Sequence, residues 1–100
     1  MNIRIIRYTT HAEHADENVR LIAAVFAALA DSRPDGVHYA AFRLDDGVSF
    51  MHVVTLDGDT NPLNDVPAFK EFQADIMNRV VAPPVTVTTT VVGNYELLTR

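Results

Sequence analysis

Residues 37–56 read VHYAAFRLDDGVSFMHVVTL: two strand-like runs joined across Asp45-Asp46-Gly47. β-Branched and aromatic residues alternating with polar ones on both sides of an Asp-Gly turn are a strong local signal for a β-hairpin. Its register can be read in two ways. A two-residue Asp46-Gly47 turn pairs Arg43 with Phe50, and a three-residue Asp45-Asp46-Gly47 turn pairs Phe42 with Phe50. The second gathers His38, Ala40, Phe42, Leu44, Val48, Phe50, His52, Val54 and Leu56 on one face, leaving Tyr39, Ala41, Arg43, Met51 and Val53 on the other. Because register tends to follow the hydrophobic pattern, the three-residue loop is the expectation.

Outward from the hairpin, each flank supplies a helix and then a strand. Ile3–Thr9 is rich in isoleucine and reads as a strand. Thr10-x-x-Glu13 has the form of a capping box, and Val19, Ile22, Phe26 and Leu29 recur at helical spacing until Pro34-Asp35-Gly36 ends the run. After the polar stretch 57–65, Pro67 suits a first helical turn. Phe69, Phe72, Ile76 and Val80 form a second apolar stripe that stops at Pro83-Pro84. Val85 to Leu98 alternates Val and Thr and is expected to be a last strand, with Gly93 as a bend. The order βαββαβ predicts an α+β, ferredoxin-like sandwich, with residues 1–100 as one domain.

Composition excludes several classes of function. With one lysine, seven arginines and a net charge of −5, no basic stripe could track a row of phosphates, so no nucleic acid partner is expected. The chain has no cysteine, hence no disulfide, thiol nucleophile or thiolate metal site. The longest purely apolar run, Leu21–Ala30, is half of what spans a bilayer, and no signal-peptide core is seen. A cytoplasmic protein with no membrane partner is the expectation. His11-x-x-His14 lacks a fixed third ligand. The Asp57-x-Asp59-x-Asn61 run has Pro62 and Ala68 where a calcium loop needs its Gly and Glu. With no glycine-rich dinucleotide fingerprint either, neither a metal nor an organic cofactor is expected.

The N-terminal strand, the helix ending at Pro34-Asp35-Gly36, the hairpin with Tyr39-Ala-Ala-Phe42 and the helix opening Pro67-Ala-Phe-Lys-Glu-Phe72 resemble the antibiotic-biosynthesis-monooxygenase-like family of dimeric α+β barrels. The resemblance spans nearly the whole chain and rests on layout. It implies a homodimer whose sheets pack together into a barrel, and a small pocket between each sheet and its helices. It further implies, for some members, oxidation of aromatic polyketides without a cofactor. The haem-degrading members use a Trp, and this chain has none, which argues against that chemistry. No catalytic set carries over residue by residue.

Candidate site residues therefore come from the chain's own chemistry. In the expected register His38 and His52 are diagonal neighbours on the helix-facing side, about 7–8 Å apart, and either could serve as a base toward a phenolic substrate. The competing reading is a pair of core or interface histidines. Phe26, Phe42, Phe50 and Phe72, with Phe69, could box a planar aromatic ligand or simply fill the core. Arg43, with Tyr39 and Arg7, is expected on the opposite sheet face or near strand ends, where Arg43 could anchor an anion or form a cross-subunit ion pair at the barrel seam with Asp45 or Glu96. A non-catalytic dimeric module that binds a small hydrophobic ligand or a protein partner is the alternative to an oxygenase. The 57–65 loop is long enough to close over a pocket.

Overall fold

The computed structural model describes residues 3–98, so both ends of the expected 1–100 domain lie outside the described residues. Four strands, β1 (Ile3–Thr9), β2 (Val37–Arg43), β3 (Ser49–Leu56) and β4 (Val85–Thr89), form one antiparallel sheet in the order β2-β3-β1-β4. Helices α1 (Ala15–Ser32), α2 (Pro67–Ala74) and α3 (Ile76–Arg79) cover one face. This is the ferredoxin-like α+β sandwich that the order of sequence patterns predicts.

The hairpin takes the other register. Arg43 lies opposite Phe50, Phe42 opposite Met51 and Tyr39 opposite Val54. Local turn chemistry explains it. Gly47 N–H donates to Leu44 C=O at 3.0 Å with Gly47 at φ +77°, while the Asp46 carboxylate accepts from Val48 N–H, Ser49 N–H and the Ser49 hydroxyl. Leu44 N–H then reaches Ser49 C=O at 2.8 Å, so the connection holds four residues. A one-residue shift inverts the faces of β2 relative to β3. Tyr39, Ala41 and Arg43 thus join Phe50, His52 and Val54 beneath the helices, and His38, Ala40 and Phe42 turn to the outer face.

Other boundaries also move. Thr10 does not cap a helix: its hydroxyl donates to Val48 C=O, a short 3₁₀ turn occupies Ala12–His14, and α1 starts at Ala15. The buried stripe of α1 is Ala15, Asn18, Leu21 and Val25, whereas Val19 is exposed. Arg33 closes the helix in the left-handed region, its N–H returning to Leu29 C=O. The expected last strand is cut short: β4 ends at Thr89, and 90–98 has no regular strand, with Gly93 inside that irregular segment. The core gathers Tyr8, Leu21, Val25, Phe50, Val54, Leu63, Val66, Phe69, Phe72 and Val80 between sheet and helices. Among the described residues no helix is long and apolar enough to cross a membrane.

Candidate functional site

Strict alternation puts Arg4, Ile6 and Tyr8 of β1 on the helix-facing side, beside Phe50, His52 and Val54 of β3 and Tyr39 of β2. This side should be a dry core. It instead carries a chain of polar groups. The Tyr39 hydroxyl is 2.6 Å from His52 Nδ1, and the Tyr8 hydroxyl is 2.7 Å from His52 Nε2. Asn18 Nδ2 donates to the Tyr8 oxygen at 2.9 Å, and Arg79 Nε donates to Asn18 Oδ1 at 3.0 Å. Arg79 also donates to Phe72 C=O at 2.7 Å and sets its guanidinium 5.1 Å over the Phe72 ring. Asn18, Arg79 and His52 are 0%, 2% and 4% exposed.

Each member is held by its element. Asn18 occupies the place in the α1 stripe one turn before Leu21. Arg79 ends α3, where the chain returns to β1 through a Thr10–Val80 bridge and the His11 N–H to Arg79 C=O bond. Buried polar groups are tolerable only when they satisfy one another, and this hydrogen-bonded file does so except at Arg79 Nη1, which has no partner among the described residues. Among the described residues no carboxylate pairs with Arg79, so a guanidinium charge stands buried behind Asn18 and Tyr8.

Burial sets the protonation states. Loss of water pushes the His52 imidazole down to about 4, so the ring is neutral at physiological pH. Burial raises the Tyr8 phenol to about 12, opposed by the Asn18 hydrogen bond and the Arg79 charge. Burial likewise raises Tyr39 above an ordinary phenol. Tyr39, His52 and Tyr8 are therefore neutral hydrogen-bonding groups at rest.

The chain opens onto a cleft of about 460 Å³. Tyr8, Tyr39 and His52 form its polar inner wall, Leu63, Phe69, Phe72 and Ile76 its apolar one, and Arg4, Asn61, Gln73 and Thr86 are polar groups along it. The volume is within the range that encloses a small organic ligand. Arg4 is exposed and is the one cationic side chain among the described lining residues. Asn61 and Leu63 belong to the 57–65 loop, which thus contributes to the wall.

Of the residues singled out from sequence, His52, Phe69 and Phe72 line the cleft. His38 does not: it lies on the outer face, where Nε2 meets Asp57 Oδ2 at 3.2 Å. Phe42 is on that same outer face and 50% exposed, so it boxes no ligand between sheet and helices. Phe50 is core, stacked on Tyr8 at 5.5 Å. Phe26 packs on Tyr39 at 4.8 Å and borders a separate shallow groove. Arg43 is not among the residues lining the cleft: it bonds Gly47 C=O and Asp16 of α1 and lies over Phe50. Tyr39, expected on the opposite sheet face, lines the cleft, and Tyr8, Asn18, Arg79 and Arg4 were missed. The available signal was Asn18, a polar residue inside an otherwise apolar stripe.

Among the described residues no cluster of three or more His, Asp or Glu could hold a metal ion. His11 and His14 stand edge to face with ring centres 6.2 Å apart, without a third ligand.

No known family model matches the sequence, and no curated protein is similar to it at the sequence level. Solved structures do match, and they repeatedly carry one description. A putative antibiotic biosynthesis monooxygenase from Nitrosomonas europaea superposes with a TM-score of 0.77 at 9% identity, covering 93% of this chain and 100% of the other. A second so described, from Bacteroides thetaiotaomicron, gives 0.76 at 12% identity over 99% and 96% of the two chains. The cofactor-independent oxygenase SnoaB of Streptomyces nogalater, in a variant form, gives 0.69 at 15% identity over 95% and 96%. At these identities the likeness establishes a shared fold: the chain is built as antibiotic biosynthesis monooxygenases are built.

Proposed function

We propose that this chain is a cofactor-independent oxygenase of a small aromatic or polyketide-like compound, acting as a homodimer. The observation that carries the reading is the Tyr39–His52–Tyr8–Asn18–Arg79 file at the inner wall of a cleft whose opposite wall is apolar. The fold shared with a cofactor-independent oxygenase supports it.

A planar phenol or enol fits between the Phe69–Phe72–Ile76 wall and the sheet, with its oxygen toward the tyrosine hydroxyls. His52 cannot meet that oxygen directly, because each ring nitrogen is already engaged by a tyrosine; it acts through them. The hydroxyl at the cleft and the Arg4 charge favour the ligand's anionic form, which is the electron-rich form that reduces dioxygen. Oxygen adds at a ring carbon, the O–O bond breaks, and the ring C–H and O–H supply the hydrogens of the departing water. One oxygen atom stays in the quinone product, and dioxygen is the only oxidant required.

Support for the homodimer comes from the outer sheet face. Ile5, Ala40, Phe42, Met51, Val53, Val85 and Val87 share it, with Phe42 50% and Val85 55% exposed. This largely apolar sheet face, interrupted by Arg7 between Met51 and Val85, is what a second copy would cover. A binding module without turnover is the second reading, favoured by the fully engaged His52 ring.

The test is dioxygen uptake by chelator-treated protein with a panel of naphthols and anthrones. Uptake matched one-to-one by quinone supports the oxygenase. Saturable binding with no uptake supports the module.

A further inference from the structure

Three protons are shared among Tyr8, His52 and Tyr39, one on each phenol and one on the neutral imidazole, yet only two hydrogen bonds join the three groups. One O–H is therefore left over, and its location depends on which ring nitrogen of His52 is protonated. We infer that His52 rests with its proton on Nδ1, which leaves the Tyr39 O–H as the hydrogen-bond donor facing the cleft. Tyr39 is then the group that touches a ligand oxygen, and Asn18 and Arg79 are positioning residues that set the direction of the whole chain.

The direction starts at Arg79. Its Nε–H can only donate, so the Asn18 atom it meets is the carbonyl oxygen and the amide N–H must point at Tyr8. The Tyr8 oxygen accepts that bond. If it also accepted from His52 Nε2–H, its own O–H would be stranded: Tyr8 is 6% exposed, its bonds to Asn18 and His52 are both buried, and no further acceptor bonds it among the described residues. A stranded buried donor is strongly disfavoured. Tyr8 therefore donates to Nε2, the ring proton sits on Nδ1, and Nδ1–H donates to the Tyr39 oxygen. The surplus proton falls on Tyr39, which is half-buried, whose bond to His52 is only partly buried, and which lines the cleft. There it can be satisfied by water or by a ligand's carbonyl, enolate or phenolate oxygen. This deepens the oxygenase reading and, for the ligand role alone, rests on it. The tautomer stands on hydrogen-bond geometry.

The experiment uses protein labelled with 15N-histidine and long-range 1H–15N correlation spectra at neutral pH. Wild type is expected to show His52 with a protonated Nδ1 and a bare Nε2. Asn18→Asp keeps the shape and the acceptor for Arg79, but presents an acceptor to Tyr8 where the amide presented a donor. Tyr8 then donates to the introduced carboxylate, its oxygen accepts from Nε2–H, and the tautomer reverses. A merely structural role for Asn18 would leave the ring signature unchanged. With the donor turned away from the cleft, affinity for p-nitrophenolate as probe is expected to fall by at least roughly tenfold. A wild-type ring protonated on Nε2 overturns the inference whether or not the variant folds. Retention of Nδ1–H in Asn18→Asp overturns the positioning role, and reversal with unchanged p-nitrophenolate affinity overturns the role of Tyr39. Failure to consume dioxygen touches none of these readouts and would count against the oxygenase reading alone.

Discussion

The two faces of the sheet invert the usual expectation. On the helix-covered face, which an ordinary sandwich would fill with hydrocarbon, a histidine and two tyrosines of the sheet join an asparagine of α1 and an arginine of α3 in one hydrogen-bonded file. The uncovered face, which a lone subunit would make polar, presents Phe42, Met51, Val53, Val85 and Val87. Polarity where burial is costly points to chemistry, and apolarity where water is expected points to association. On the proposed reading the inner face serves a ligand and the outer face serves a second copy.

The largest effect expected from breaking this contrast is on the inner face. Tyr39→Phe removes the hydroxyl nearest the proposed ligand site and should lower the rate of dioxygen uptake by about 10²–10³-fold, the typical cost of losing one oxyanion donor, together with a loss of stability of about 1–3 kcal/mol because His52 Nδ1–H loses its acceptor. A variant as fast as wild type would remove the inner file from the mechanism.

His52 also ties this face to pH. Its folded pKa, about 4, lies below the unfolded value of 6.5, so the unfolded chain takes up the proton first as pH falls. Its contribution is complete above 6.5 and declines toward pH 4, by about 3 kcal/mol in all for a ring that is 4% exposed. Denaturant unfolding across that window should show His52→Gln losing less stability than wild type. Equal slopes would mean that the imidazole is not desolvated. Arg79→Met should destabilise by about 1–3 kcal/mol in the same assay, since Asn18 Oδ1 and Phe72 C=O lose their donor.

The outer face is expected to respond differently. Phe42→Asp should leave the fold intact and convert a species of about twice 11.1 kDa into one of 11.1 kDa by sedimentation at micromolar concentration. A wild-type monomer would contradict the proposed pairing of sheets. The smallest effect is expected for His38→Ala, within about 0.5 kcal/mol and without loss of uptake, because its contact with Asp57 is solvated.

The same contrast explains what was legible in the sequence. Element order, the place of the hairpin connection around residues 45–47 and the Pro67 helix start all depend on local chemistry and appear as read, though the form of the turn does not. The hairpin register was not recoverable from hydrophobicity, because Phe42, Met51 and Val53 make the outer face as apolar as the inner. When both faces carry apolar residues, alternation loses its power to choose, and the Asp46 carboxylate and left-handed Gly47 decide instead. That single slip exchanged Tyr39 for His38 and Arg43 for Phe42. His52 kept its place because its position on β3 does not depend on how β2 pairs with it. Asn18 and Arg79 are 61 residues apart and meet only through the tertiary fold, so no spacing rule links them.

Whether the inner file favours an oxyanion in the cleft is measured directly by the spectrum of bound p-nitrophenol, since only its ionised form absorbs in the visible. The bound probe should ionise at a lower pH than the free one in wild type, and Tyr39→Phe should abolish that shift. A bound probe that ionises at the same or a higher pH than free p-nitrophenol would contradict that preference.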